Sequence, residues 1–456
     1  MPTTRTFRTR LGGLALAGAS VAAACSTEVH NPNIVAPESL QSAATLPALL
    51  NGATGDFAFA YAGDNGGTEG VILLGGLRAD EYRNSDYFDT RIQVDRGTIT
   101  INNGSVGALF ANLNRARRSA ELATSTFAKL APTDYRRAAA LNLDAYTYVL
   151  LAETFCSGIP FTEVAADGTS LDYGSPLTTQ QVFQIAKARF DTAITIAEAA
   201  AKGGDARAQQ EAYLARVGRA RAFVGLGRFD SATASVASVP ATFVYDLQYS
   251  ENTGRENNGV YGFNVVNQRW SVADSEGVNG LPFISAKDPR VSVSDAGATG
   301  VDAATELFTL NKYSSLSASI ALATGTEARL ITAEASLDGQ LAGGGAADAV
   351  ARLNQLRAAL GTGLDTLTLQ PSTAGQARQL MAERAFWLFA TGHRLGDMRR
   401  LVRPPSTGGY GLAITSVFPT GAYPKGGAPY GKEVNLPIPV NELNNPNFKQ
   451  CIDRST

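Results

Sequence analysis

Apolar positions recur at helical spacing through most of this chain, and the polar residues between them mark where each helix stops. From Val106 to Leu130, Leu109, Phe110, Leu113, Ala116 and Ala120 fall on one side, which predicts a long amphipathic helix. Asp134 to Phe155 predicts a second, opened by Pro132 and Thr133 and striped by Leu141, Ala145, Tyr148, Leu151 and Ala152. A third runs from Thr179 or Gln180 to Lys202 and ends at Gly203-Gly204. Near the start, Ser39 to Leu50 has helical spacing that Pro47 ends or kinks, Gly63 to Gly70 is a turn-rich break, and Val71 to Leu77 is a short apolar segment.

The clearest repeat follows. Ala220, Phe223, Gly227, Ala232 and Val236 are spaced as in a tetratricopeptide hairpin, with small residues where two antiparallel helices must approach closely. Degraded hairpins of the same kind are read at Asp134–Phe155 with Val182–Lys202, and at Glu327–Leu337 with Ala347–Ala359. Between them, about 241–326 loses helical periodicity and fills with Gly, Asn, Ser and aromatics, a loop-rich insertion of the sort that carries binding surfaces. Within it Trp270, beside Arg269, reads either as an exposed ring or as a buried loop anchor. Glu383 to Leu401 is a dense aromatic block in which Arg394, Asp397 and Arg400 share a helix face and satisfy one another. Pro404 to Gly431 is loop-like, and Val434 to Pro446 must run extended because Pro437 and Pro439 fix the backbone and lack donors. The fold class is therefore mainly α, built of tetratricopeptide-like hairpins with long loops and minor β structure.

Composition narrows the picture. Only 18% of the 456 residues are charged and the formal net charge is -2, so nothing in the charge balance invites nucleic acid. The first 24 residues carry Arg5, Arg8 and Arg10, then an apolar run from Leu11 to Ala24 too short to span a bilayer, the pattern of an export signal. Without those arginines the balance is 36 basic to 41 acidic residues. Ala22-Ala23-Ala24-Cys25 is similar to a bacterial lipobox, with Ala22 where leucine is usual, so Cys25 is the expected lipidation site. Residues 25–37 form a polar tether, and 38–456 a single domain. The remaining cysteines, Cys156 and Cys451, form an even pair in an exported chain and are expected to bridge, with two free thiols as the alternative.

Candidate chemistry concentrates in Leu77 to Gly97. Arg78, Tyr82, Asn84, Tyr87 and Phe88, with Trp270, combine flat apolar faces and hydrogen-bonding groups, the mixture that stacks on sugar rings and pairs with their hydroxyls. Asp80, Glu81 and Arg96 read instead as a network locking this loop to the helices. Two histidines, His30 and His393, far apart in sequence, supply neither a catalytic triad nor a metal site, and no Gly-x-Ser-x-Gly elbow is present. No catalytic residue, cofactor or metal is expected.

Taken in order, the lipobox-like segment, Lys287-Asp288-Pro289-Arg290, Glu327-Ala328-Arg329-Leu330, Leu353-Asn354-Gln355-Leu356-Arg357, Glu383-Arg384, Gly392 to Arg400, and Leu436-Pro437-Ile438-Pro439 resemble the SusD/RagB family of outer-membrane lipoproteins. The uncharged block Phe386 to Thr391 departs from the acidic pattern usual there and marks a divergent member. The resemblance implies a lipid-anchored protein of the cell outer membrane that captures oligosaccharides or peptides. It also implies a partner, a SusC-like TonB-dependent transporter on which the protein sits as a lid, and no chemistry of its own. A protein-binding scaffold and a secreted glycoside hydrolase are the alternatives.

Overall fold

The computed structural model describes Met1 and residues 42–164, 170–361 and 363–455. The export signal, Cys25 and the tether lie outside the described residues. Met1–Thr45 and Leu46–Thr456 are separate compact units, and within the first the described residues end in a short turn at Ala43–Thr45.

The second unit is mainly helical. Its helices are α1 (Leu46–Ala62), α2 (Val71–Arg78), α3 (Asp89–Arg96), α4 (Gly104–Leu130), α5 (Tyr135–Thr154), α6 (Thr179–Ala201), α7 (Ala206–Gly225), α8 (Phe229–Val236), α9 (Gly325–Leu337), α10 (Ala346–Ala359), α11 (Thr373–Trp387) and α12 (Arg394–Val402). Local chemistry sets their ends. Asn103, Asp134 and Asp205 each accept a backbone N–H in the first turn of α4, α5 and α7, and Thr178 with Gln181 closes a capping box on α6. Pro47 does not break its helix as the sequence reading had it. It sits in the first turn of α1, where a missing N–H costs nothing.

α5 is the central helix, buried along nearly its whole length from Ala138 to Thr154, with α4, α6 and α7 packed around it. The close approach of α6 and α7 depends on glycine. A Cβ at Gly218 would lie 2.3 Å from the Phe190 ring, and one at Gly225 2.5 Å from Phe183. The tetratricopeptide-like hairpin is α7–α8, turned at Leu226–Arg228 with Gly227 at φ +69°. Residues 241–326 hold strand pairs and only short helical turns, at Gly254–Glu256, Gly259–Tyr261 and Gly262–Val266. β1 (Tyr82–Asn84) pairs antiparallel with β3 (Trp270–Val272), so that Asn84 faces Trp270; β2 (Val244–Leu247) pairs with β6 (Ile320–Thr324), and β4 (Val293–Thr299) with β5 (Glu306–Leu310).

Ion pairs, most of them buried, join the parts. Arg384 and Arg400 both hold Asp397, at 2.8 and 2.9 Å, and Arg400 also reaches Glu334 at 2.9 Å. Glu383 takes Arg290 and Arg357, His393 meets Glu327 at 3.1 Å, and Arg221 reaches Glu153. Burial opposes charge on Asp397, but Arg384 and Arg400 outweigh it and hold the carboxyl well below the usual range. One expectation is corrected here. The aromatic block is not one helix: α11 stops at Trp387, Ala390 and Gly392 take positive φ, and α12 restarts at Arg394. Arg394 shares α12 with Asp397, yet its two-point partner is Asp80 of the loop after α2, at 2.6 Å, while Arg384 and Arg400 take Asp397.

The chain end is tied to the centre. Leu436, just before the extended Pro437–Pro439 segment, pairs with Phe155 just past α5, whereas Val440–Asn444 turns as a 3-10 helix where the sequence reading had it extended; Cys156 is bonded to Cys451 across 295 residues.

Candidate ligand groove

β1 runs into a tight turn that displays two aromatic rings. Asn84 accepts the Asp86 N–H at 2.9 Å, and Asp86 accepts the Phe88 N–H at 2.8 Å, so the backbone between them is set by its own side chains. Asp86 itself is fully buried and takes Arg91 and Arg269 on one oxygen. Burial alone would raise its pKa, yet hydrogen bonds from Arg269, the Phe88 N–H and Arg91 hold it low. The turn therefore projects Tyr87, 65% exposed, and Phe88, 45% exposed, as a stacked pair 5.2 Å apart at 29°. The Phe88 ring is backed by the Arg91 and Arg269 guanidinium groups, at 4.9 and 5.4 Å.

Beside this platform lies a groove of about 630 Å³. Arg83, Asp86, Tyr87 and Ile92 form one wall, Asp302 to Glu306 the second, and Pro424 to Gly426 the third. Lys425 crosses between walls, donating to the Asp86 carbonyl and the Asp302 carboxylate, each at 2.6 Å. Asp302 also accepts the N–H groups of Ala304 and Thr305 and the Thr305 hydroxyl. Against the opposing effect of burial, the Lys425 and Thr305 hydrogen bonds lower its pKa to about 2. Among the described residues the Glu306 carboxylate has no partner and stands exposed at the rim. An aromatic face next to fixed donors and acceptors is an arrangement that holds a polyhydroxylated ring. A second groove of about 370 Å³, between α4 and Pro439–Glu442, has one ring, Phe110, and that ring is buried.

Of the six residues singled out from sequence, the structure brings Tyr87 and Phe88 to the surface and encloses the other four. Trp270 is fully buried, its indole edge-on to Phe263 at 4.7 Å and its N–H donated to the Leu73 carbonyl at 3.4 Å. Arg91 lies over that ring at 5.2 Å, so Trp270 supports the platform from below. Tyr82 packs on Phe389, and its buried hydroxyl has no hydrogen-bond partner among the described residues. Asn84 shapes the turn. Arg78 donates Nε to the Glu433 carbonyl and covers Phe418, with burial lowering its pKa to about 10 against the pull of Asp95. Asp80 and Glu81 are buried and tie this segment to α12 and to the Ala390 N–H, as the network reading held, whereas Arg96 donates to Thr98.

Sequence reasoning missed Asp302, Glu306 and Lys425, and saw Arg83 in the polar-aromatic stretch without assigning it to the site. They come from three segments far apart in the chain, and no spacing joins them. The one available signal was Tyr423-Pro424-Lys425-Gly426, a charged residue on a turn inside a Gly/Pro-rich loop. Among the described residues no group of three His, Cys, Asp or Glu is placed to hold a metal, and no helix is long and apolar enough to cross a membrane.

No family model matches this sequence, and no curated protein is similar to it. Solved structures are. A SusD superfamily protein from Bacteroides thetaiotaomicron superposes with a TM-score of 0.62 at 16% identity, over 90% of this chain and 99% of its own. A SusD-like protein from Bacteroides fragilis gives 0.62 at 13%, over 92% and 98%. A SusD-like carbohydrate binding protein from Bacteroides vulgatus gives 0.55 at 14%, over 78% and 82%. Nearly full coverage in both directions at so low an identity defines the architecture: this chain has the SusD-like fold, in a divergent sequence.

Proposed function

We propose that this protein captures oligosaccharides at the Tyr87–Phe88 platform and delivers them to a SusC-like TonB-dependent transporter in the outer membrane, to which Cys25 anchors it by a lipid. The observation that carries the reading is the exposed aromatic pair, held rigid by Asn84, Asp86 and Arg91 beside a groove of fixed polar groups. It stands in a fold shared with a SusD-like carbohydrate binding protein. Stacking supplies desolvation and affinity, and Arg83, Lys425 and Glu306 orient the hydroxyls.

Titration calorimetry against a panel of plant and microbial oligosaccharides tests capture. Binding that disappears in Tyr87→Ala and Phe88→Ala supports it, and equal binding in both variants moves the site elsewhere. Co-purification of a β-barrel transporter with the full-length protein tests delivery. Membrane fractionation of Cys25→Ala tests the anchor, since the variant is expected to be released.

A further inference from the structure

Beneath the groove two carboxylates lie buried side by side, and both are capped by tyrosines from one loop. Asp95 accepts the Tyr423 hydroxyl at 2.8 Å and the Asn84 N–H at 2.9 Å on the same oxygen; its other oxygen has no partner among the described residues. Glu276 accepts the Tyr430 hydroxyl and the Arg83 Nε. The two rings meet edge to face at 5.4 Å, and Ala422 pairs with Pro429, so the loop from Phe418 to Gly431 is a closed finger. Its tip, Pro424 to Gly426, is the third wall of the groove.

The base of the finger is held by groups that do not titrate. Asn279 donates to the carbonyls of Thr415 and Phe418, and the Gly431 N–H donates to the Arg96 carbonyl at 2.7 Å. The tip is held by the side chains of Tyr423, Tyr430 and Lys425. We infer that Asp95 and Glu276 are positioning residues of the groove, which seat the 418–431 finger and so place Lys425, and that this seating is linked to a proton on Asp95. The role in ligand capture rests on the groove being the glycan site; the seating itself does not.

The sign follows from what surrounds Asp95. Glu276 opposes its charge, Arg83 and Arg78 favour it, and the hydroxyls of Tyr423 and Tyr430 face it. Burial first and Glu276 second raise its pKa to about 7. Lifting the finger lets water reach Asp95 and returns it toward the usual carboxylate range, so the seated state binds the proton more tightly. Seating is then complete at acid pH and weakens as pH rises through neutrality. Linkage for one proton gives about a tenfold change in the opening equilibrium between about pH 6 and pH 8.

Hydrogen exchange of the full chain, followed in peptides spanning 418–431 and corrected for the intrinsic pH dependence of exchange, reads this opening. Wild-type protein is expected to open about tenfold more readily at about pH 8 than at pH 6. Asp95→Asn removes the difference, and Tyr423→Phe raises opening at both values. Equal protection at both values in wild type, or a pH dependence that survives in Asp95→Asn, overturns the inference. If Asp95→Asn fails to fold, Glu276→Gln decides: it removes the charge that opposes Asp95, so the pH dependence should move below neutrality, and an unchanged pH dependence in that variant also overturns the inference. A pH-dependent finger in a protein that binds no glycan of the panel refutes the capture reading and leaves the seating intact. Glycan affinity that falls in step with opening supports both.

Discussion

Arg394 and Asp80 meet in a two-point ion pair, Nε 2.6 Å from Oδ1 and Nη2 2.9 Å from Oδ2, although 314 residues separate them. Asp80 also accepts the Leu281 N–H at 2.9 Å, so one carboxylate joins the segment after α2, the irregular insertion and α12. Removing one partner strands the other charge in the core. Arg394→Ala is expected to cost about 3–5 kcal/mol in denaturant unfolding. A loss below about 1 kcal/mol is what an exposed pair gives and is inconsistent with this burial.

Trp270 and Tyr87 should separate support from contact. Trp270→Ala empties a packed site under Arg91 and is expected to cost about 3–5 kcal/mol of stability. Tyr87→Ala, at an exposed ring, should change stability by less than about 0.5 kcal/mol while abolishing glycan binding. Thermal melts alongside calorimetry check both, and a stable Trp270→Ala protein would contradict the packing.

The Cys156–Cys451 bond closes a 295-residue separation and holds the chain end against the close of α5. Replacing both cysteines by serine is expected to cost about 2–5 kcal/mol, less where the unfolded chain retains structure. Urea midpoints of the oxidised protein and the double variant measure it.

Glu211 is buried on α7, where it accepts hydrogen bonds from Asn142 and Tyr245, each at 2.9 Å. Burial outweighs those bonds and raises its pKa to about 7. A carboxyl raised on folding stabilises the native state when protonated. Its contribution is therefore full below about pH 4 and lost as pH rises through neutrality. Asp397 has the opposite sign, contributing above its unfolded value and losing it as pH falls. Glu211→Gln should flatten the decline in stability between about pH 4.5 and pH 7 by up to about 1.4 kcal/mol per pH unit. An unchanged pH profile in unfolding titrations would show that Glu211 is ionised in the native protein.

The helices were legible because their evidence is local. The stripes of α4, α5 and α6 and the close-packing glycines of the α7–α8 hairpin are short-range patterns, and they carried the mainly α class, while ordered short motifs carried the family resemblance. The aromatic–polar stretch around Tyr87 was visible for the same reason. Which of its rings face outward was not. Tyr82, Asn84 and Trp270 have the composition of a binding surface, yet the antiparallel pairing of β1 with β3 places all three inward. Arg83, Asp302 and Lys425 carry no shared spacing, and only the folding of two distant loops onto β1 and its turn brings them to one groove. The partner of Arg394 was hidden likewise, since the break at Ala390–Gly392 turns α12 by an angle no helical periodicity encodes. Periodicity along the chain determined the elements. The burial of particular faces, which depends on contacts between segments hundreds of residues apart, decided the site.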